Sequence, residues 1–187
     1  MTKKEIRNVY KQKRLEIAER DRLKLDDLLL INFQQLWFDD VQVVMSYWPL
    51  QTMAELNTHI FTDFMAFRMP GMQLAYPVIK QGNMEAVVVD DDTNYQLNKY
   101  NIAEPVDGTI IVPEAIDMVL TPLLAFDTNG YRVGYGKGYY DKFLAMCRPD
   151  VLKVGFSYFD PIGSIADVDE FDVPLNICIT PNQTYEF

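Results

Sequence analysis

Gly134, Gly136 and Gly138 alternate with Tyr135 and Lys137, and this stretch of the chain is the one best equipped for chemistry. Glycine lets a backbone take positive φ and pass close to a ligand with no Cβ in the way. Apolar groups follow at helical spacing, at Tyr139, Tyr140, Phe143, Leu144 and Cys147, so the loop is predicted to empty into a helix N-terminus. Free N–H groups and the positive end of the helix dipole make such a mouth an anion site. Arg132 and Lys137 add formal charge, and Asp141 places a carboxylate in the first helical turn. A phosphate, a cation to clamp it and an oxygen ligand for a metal can all meet here.

The pattern is neither of the two common phosphate fingerprints. A Walker loop needs GxxxxGK followed by Ser or Thr, whereas Lys137 sits between glycines; the dinucleotide GxGxxG spacing is also missing. Alone, three alternating glycines are a weak signal and mark a tight turn more often than a phosphate site. Their neighbours raise the signal: Arg132, Tyr135, Lys137, Tyr139, Tyr140 and Asp141 crowd together, and a structural turn needs few of them.

Stepping outward, residues 3–20 are predicted as a helix with Lys4, Arg7, Lys11 and Arg14 along one face. Such a charge run is either a solvated surface or a basic face that closes over an anion held elsewhere. A second helix is predicted from Asp21 to about Trp37, and a first buried strand from Val41 to Trp48. Leu50–Thr58 is then a loop at a strand's carboxyl end, where open α/β sheets bind ligands, which singles out Glu55. The competing reading of Glu55 is an acid at a helix start. A helix through Phe67 follows, with His59, the sole histidine, read as surface or structural.

Gln73–Ile79 and Glu85–Val89 are expected to pair as a hairpin around Gln81-Gly82-Asn83. Short strands are expected at Ile110–Val112 and Asp117–Leu120, and the last two at Val151–Ser157 and Leu175–Ile179. Asp90-Asp91-Asp92 reads as solvated loop. Strand and helix alternation implies an α/β sheet covered on both faces, and the hairpin makes that sheet mixed.

With 187 residues, 49% apolar and 24% charged, the chain is expected to be one soluble domain, 1–187. No apolar run approaches the length of a membrane span, and the charged N-terminal stretch lacks a signal core. Cys147 and Cys178 form no CxxC pair and read as reduced thiols, so a cytoplasmic location is expected. A formal charge of −10 argues against general nucleic-acid binding.

The run from Ala125 to Asp141 resembles the signature of the 5-formyltetrahydrofolate cyclo-ligase family, also called 5,10-methenyltetrahydrofolate synthetases. The likeness extends to Lys-Lys-x-x-Arg at residues 3–7, Glu55-Leu-Asn-Thr58, Tyr76-Pro77, Glu104-Pro105 and Asp172-Val-Pro. It implies a three-layer α/β/α sandwich around a mostly parallel, mixed sheet. The reaction it implies uses ATP and Mg2+ to turn 5-formyltetrahydrofolate into 5,10-methenyltetrahydrofolate, ADP and phosphate. A monomer or weak homodimer, with neither nucleic acid nor membrane as partner, is expected.

Carried over residue by residue, Lys3, Lys4 and Arg7 contact the ATP phosphates. Arg132, Val133, Gly134, Tyr135, Gly136, Lys137, Gly138, Tyr139 and Tyr140 cradle them, and Arg132 and Lys137 take the catalytic role of neutralising charge. Asp141 and Asp172 are the implied magnesium ligands. Leu50, Glu55, Tyr135 and Tyr139 form the implied folate site. Phe171 stands where many bacterial members have histidine, Thr121-Pro122-Leu123-Leu124 where Val-Pro-Gly-Leu is more usual, and Lys142 where arginine is common. A binder without turnover, and a kinase or ligase acting on another small molecule, are the alternative functions.

Overall fold

In a computed structural model, which describes residues 1–38, 40–98 and 101–187, the chain opens with two helices. Helix α1 (Lys3–Glu16) starts at a capping box: Thr2 and Glu5 exchange side-chain bonds with each other's backbone N–H groups. Helix α2 (Glu19–Phe33) follows after a two-residue break. Strand β1 (Val43–Met45) is shorter than predicted, because the chain leaves the sheet soon after Ser46 donates to Ala75 O at 2.9 Å. A single 3-10 turn at Gln51–Met53 precedes α3 (His59–Arg68).

The predicted hairpin is present as β2 (Gln73–Lys80) and β3 (Asn83–Val89), antiparallel from Leu74 opposite Val89 to Lys80 opposite Asn83. Gln81 and Gly82 both take positive φ at its tip, the conformation that two-residue hairpin turns require. Two short strands, β4 (Tyr95–Leu97) and β5 (Ala103–Pro105), form a small ribbon that the sequence pattern did not announce. Next come β6 (Thr109–Ile111) and β7 (Met118–Thr121). A second ribbon, β8 (Ala125–Phe126) with β9 (Arg132–Val133), leads into α4 (Tyr139–Leu144). The chain ends with β10 (Leu152–Phe156), β11 (Ile177–Ile179) and β12 (Thr184–Glu186). Leu175–Ile179 is thus not the last strand.

Among the described residues, eight strands form one sheet in the order β12-β11-β10-β7-β1-β2-β3-β6. The five from β11 to β2 run parallel; β12 and β3 pair antiparallel with the two ends of that set, and β6 pairs antiparallel with β3. Alternation along the strands builds two cores. Val44, Met118, Leu120, Val154 and Phe156 face α2 and α3, where Leu29, Phe33, Phe61 and Met65 cover them. Met45, Ala75, Ala86 and Val119 face the other way, under Phe143 and Leu144 of α4. The layers are therefore α/β/α, as the resemblance implied.

Helix α1 belongs to neither covering layer. It packs through buried Ile6 and half-buried Tyr10 against Ala125, Val133 and Ile165, beside the β8–β9 ribbon. Among the described residues, no helix is long and apolar enough to cross a membrane.

Candidate active site

A cleft of about 1140 Å³ opens at the carboxyl ends of the parallel strands. Its walls are the turn after β1, the end of β2, the β8–β9 ribbon with the glycine loop, α4, and residues 169–173. The ribbon is fixed from below by buried Asp127. That carboxylate accepts the N–H groups of Asn129 (2.9 Å), Tyr131 (3.0 Å) and Ile165 (3.2 Å), which locks the Asn-Gly turn and delivers Arg132 and the loop to the cleft. Gly136 has φ +82°, and a Cβ there would stand 2.9 Å from the Arg7 guanidinium carbon. Arg7 in turn donates from Nε to Gly134 O at 2.9 Å.

Helix α4 is six residues long, beginning after Gly138 in left-handed conformation. The predicted helical run to Cys147 is cut short where Met146 N and Cys147 N turn to the i−3 carbonyls of Phe143 and Leu144, a tightened last turn. Asp141 still lies in its first turn, as the spacing predicted.

The implied phosphate and metal groups are brought together, already paired with one another. Arg132 is buried; it donates to Asp141 Oδ1 at 2.9 Å and to Val173 O. Burial pulls its guanidinium below the usual range, and Asp141 opposes that pull. Asp141 Oδ1 also accepts Val173 N at 3.3 Å. Lys3 Nζ pairs with Asp172 Oδ2, and with Asp169 at 3.4 Å. Burial pulls the Lys3 ammonium down, but its two carboxylate partners outweigh this and hold it above its ordinary value. Lys137 lines the cleft and is exposed.

Lys4 is exposed and does not line the cleft. The inward stripe of α1 is Lys3, Arg7, Tyr10 and Arg14, rather than Lys4, Arg7, Lys11 and Arg14. Docking of Ile6 and Tyr10 sets that rotation.

On the opposite wall, Glu55 accepts Leu50 N on Oε2 at 2.7 Å and the Tyr135 hydroxyl on Oε1. It is not a helix-start acid, since α3 begins only at His59. Burial pushes its carboxyl up, against the pull of Arg14, the Leu50 amide and Tyr135. Leu50, Tyr135 and Tyr139 line the same space. Val133, Gly134, Gly138 and Tyr140 line it too, and the Tyr140 hydroxyl is buried without a hydrogen-bond partner.

Three residues here have places that the sequence did not announce, Trp48 and Glu104 in the cleft lining and Arg14 behind it. Trp48 lies at a cleft wall, edge-on to His59 at 4.6 Å and to Tyr95 at 5.4 Å; its aromatic character was read only as strand. Glu104 also lines the cleft and accepts Ile79 N (3.3 Å) and Asn98 Nδ2 (2.9 Å). Arg14 reaches Tyr135 from α1; its heptad-like spacing from Lys3 and Arg7 was the available signal. His59 behaves as a structural group, 3.4 Å from the Tyr76 hydroxyl. Among the described residues, no three His, Cys, Asp or Glu side chains converge as a ready-made metal cage.

Residues 1–181 match the family model described as the 5-formyltetrahydrofolate cyclo-ligase family. A 5-formyltetrahydrofolate cyclo-ligase of Mycoplasma pneumoniae is 26% identical over 185 residues, covering 96% of this chain and 98% of that protein. One from Escherichia coli K12 is 29% identical over 123 residues, 63% of this chain and 68% of its own. Among solved structures, Aquifex aeolicus 5,10-methenyltetrahydrofolate synthetase superposes with a TM-score of 0.83 at 28% identity, covering 100% of this chain and 93% of that one. The M. pneumoniae synthetase structure shares the fold, with a TM-score of 0.71 at 23% identity over 96% and 98% of the two chains.

Proposed function

Because the chain belongs to the 5-formyltetrahydrofolate cyclo-ligase family, we propose that it is the enzyme that closes 5-formyltetrahydrofolate to 5,10-methenyltetrahydrofolate at the expense of ATP. The observation that carries this reading is one shared cleft. The glycine loop with Lys3, Arg7, Arg132 and Lys137 forms one side, and Glu55 with Leu50 and Tyr135 the other. A cleft of about 1140 Å³ exceeds the roughly 300–1,000 Å³ of a pocket for one small ligand. It has room for a nucleotide and a folate side by side.

In the proposed reaction, the formyl oxygen attacks the γ-phosphorus and ADP leaves, giving an iminium phosphate. The neighbouring folate nitrogen attacks the activated carbon and loses its proton, and phosphate departs to leave the methenyl bridge. Such chemistry asks the protein for alignment and charge neutralisation rather than for a nucleophile. Arg132 and Lys137 neutralise charge on the transferring group, and Lys3 and Arg7 close over the phosphates from α1. Glu55 accepts the donor edge of the pterin, while Leu50, Tyr135 and Tyr139 cover its rings.

Asp141 and Asp172 fit a magnesium ion. They are hard oxygen donors linked through the chain, since Asp141 Oδ1 accepts the N–H of Val173, the residue next to Asp172, at 3.3 Å. Magnesium characteristically takes one or two carboxylates and completes its shell with water and phosphate oxygens. When bound, it would supply charge neutralisation at the phosphates.

The test is to mix the protein with 5-formyltetrahydrofolate, ATP and Mg2+ and follow the near-ultraviolet absorbance of the methenyl product. Folate binding without product would sink the enzyme reading in favour of a binder. Arg132→Ala and Lys137→Ala are expected to lower kcat/KM for ATP by on the order of 10²-fold. Glu55→Ala is expected to raise the folate KM instead.

A further inference from the structure

Arg14 has no part in the chemistry above, yet it is only 5% exposed. It donates from Nε to Met53 O at 2.8 Å, from Nη1 to Leu123 O at 3.1 Å, and from Nη2 to the Tyr135 hydroxyl. Those partners sit on three different segments: the turn after β1, the segment after β7, and the glycine loop. Having accepted from Arg14, the Tyr135 hydroxyl donates to Glu55 Oε1. An ionised carboxylate has about four lone-pair sites. Tyr135 takes one on Oε1 and Leu50 N one on Oε2. One acceptor site on each oxygen remains for a ligand that presents two parallel donors.

We propose that Arg14 is a positioning residue for folate recognition, fixing the Glu55 carboxylate through the Tyr135 hydroxyl and supplying its counter-charge. The proposal rests on the reading of Glu55 as the pterin contact. The titratable groups that face Glu55 come from four directions: Arg14 from α1, Tyr135 from the glycine loop, Tyr140 from α4 and Tyr47 from the segment after β1. Burial pushes all three phenols above their ordinary range, so they stay neutral, and the positive charge acting on Glu55 is that of Arg14. Without it, burial favours the protonated acid. A protonated Glu55 turns one acceptor into a donor and opposes the pterin edge it would otherwise receive.

The experiment measures the dissociation constant of 5-formyltetrahydrofolate, by intrinsic fluorescence without nucleotide, across pH from about 5.5 to 9. Thermal midpoints are recorded alongside. Arg14→Gln is expected to move the acid limb up by about one pH unit, so that binding is up to about tenfold weaker on the acid side and recovers in base. Arg14→Lys, which keeps the charge but loses carbonyl partners, is expected to lower the thermal midpoint and leave the limb near that of the parent. A uniform loss with an unmoved limb in Arg14→Gln would reduce Arg14 to a structural staple and overturn the proposal. If Arg14→Gln does not fold, Tyr135→Phe decides, because it cuts the relay and spares both carbonyl bonds. A limb moving in the same direction supports the relay, and an unmoved one overturns it. Glu55→Gln separates the two readings: unchanged folate affinity there removes the pterin assignment itself. Weakened affinity there, with an unmoved limb in Arg14→Gln, removes only the role of Arg14.

Discussion

Gly136 faces two demands that no other residue type meets together: a left-handed backbone at φ +82°, and the Arg7 guanidinium where a Cβ would stand. Gly138 has φ +67° and open space around it. Gly136→Ala is therefore expected to displace Arg7 from Gly134 O, to cost about 1–3 kcal/mol, and to raise the KM for ATP. Gly138→Asn is expected to cost much less, since Asn tolerates the left-handed region. Denaturant unfolding and ATP titrations of the two variants check the contrast. The glycines were legible in the sequence because their type declares their backbone. Arg7's claim on the space beside Gly136 was not, because it depends on where α1 docks. Glu55 was found through its place at a strand end, whereas Arg14 stayed hidden in a charge run. Only the seating of Ile6 decides which charges of that run turn inward.

Elements meet at Asp117, just before β7. Its carboxylate accepts the N–H groups of Gln42 and Val43, each at 2.8 Å, and the Arg148 guanidinium at 2.7 Å. One side chain thus ties the starts of β1 and β7 to the turn after α4. Burial alone pushes this carboxyl up, but the Arg148 bond and the two amides outweigh it and hold it below the ordinary 3.8. A depressed folded-state value contributes stability that is present above the unfolded value and lost as pH falls towards the folded one. Asp117→Asn is expected to cost about 1–3 kcal/mol at neutral pH, with the gap closing below about pH 4. Unfolding curves at several pH values measure it. At this scale the β2–β3 hairpin was legible because Gln81-Gly82-Asn83 specifies its own turn. The β4–β5 ribbon and β12 were not, being three-residue strands held by pairing rather than by a pattern of their own. Likewise α4 ends in a tightened turn after Leu144 rather than following the longer apolar period.

For the whole molecule, the proposed nucleotide site, built from α1, the glycine loop and the 169–173 segment, would make ligand binding a contribution to global stability. MgATP at about a hundred times its Kd is expected to add roughly 2.7 kcal/mol, which raises the thermal midpoint of a chain this size by about 5–10 °C. Thermal-shift measurements read this directly, and Lys3→Ala with Arg7→Ala should abolish most of it. Four charges of the cleft already pair with one another, Lys3 with Asp172 and Arg132 with Asp141. A bare anion such as sulfate or inorganic phosphate that captured Lys3 or Arg132 would strand a carboxylate beside it. A metal ion arriving alone would strand an ammonium or a guanidinium. Only a ligand that brings both signs at once can satisfy all four groups. On the proposed reading, metal-loaded nucleotide is that ligand, and it answers both ion pairs as a single packet.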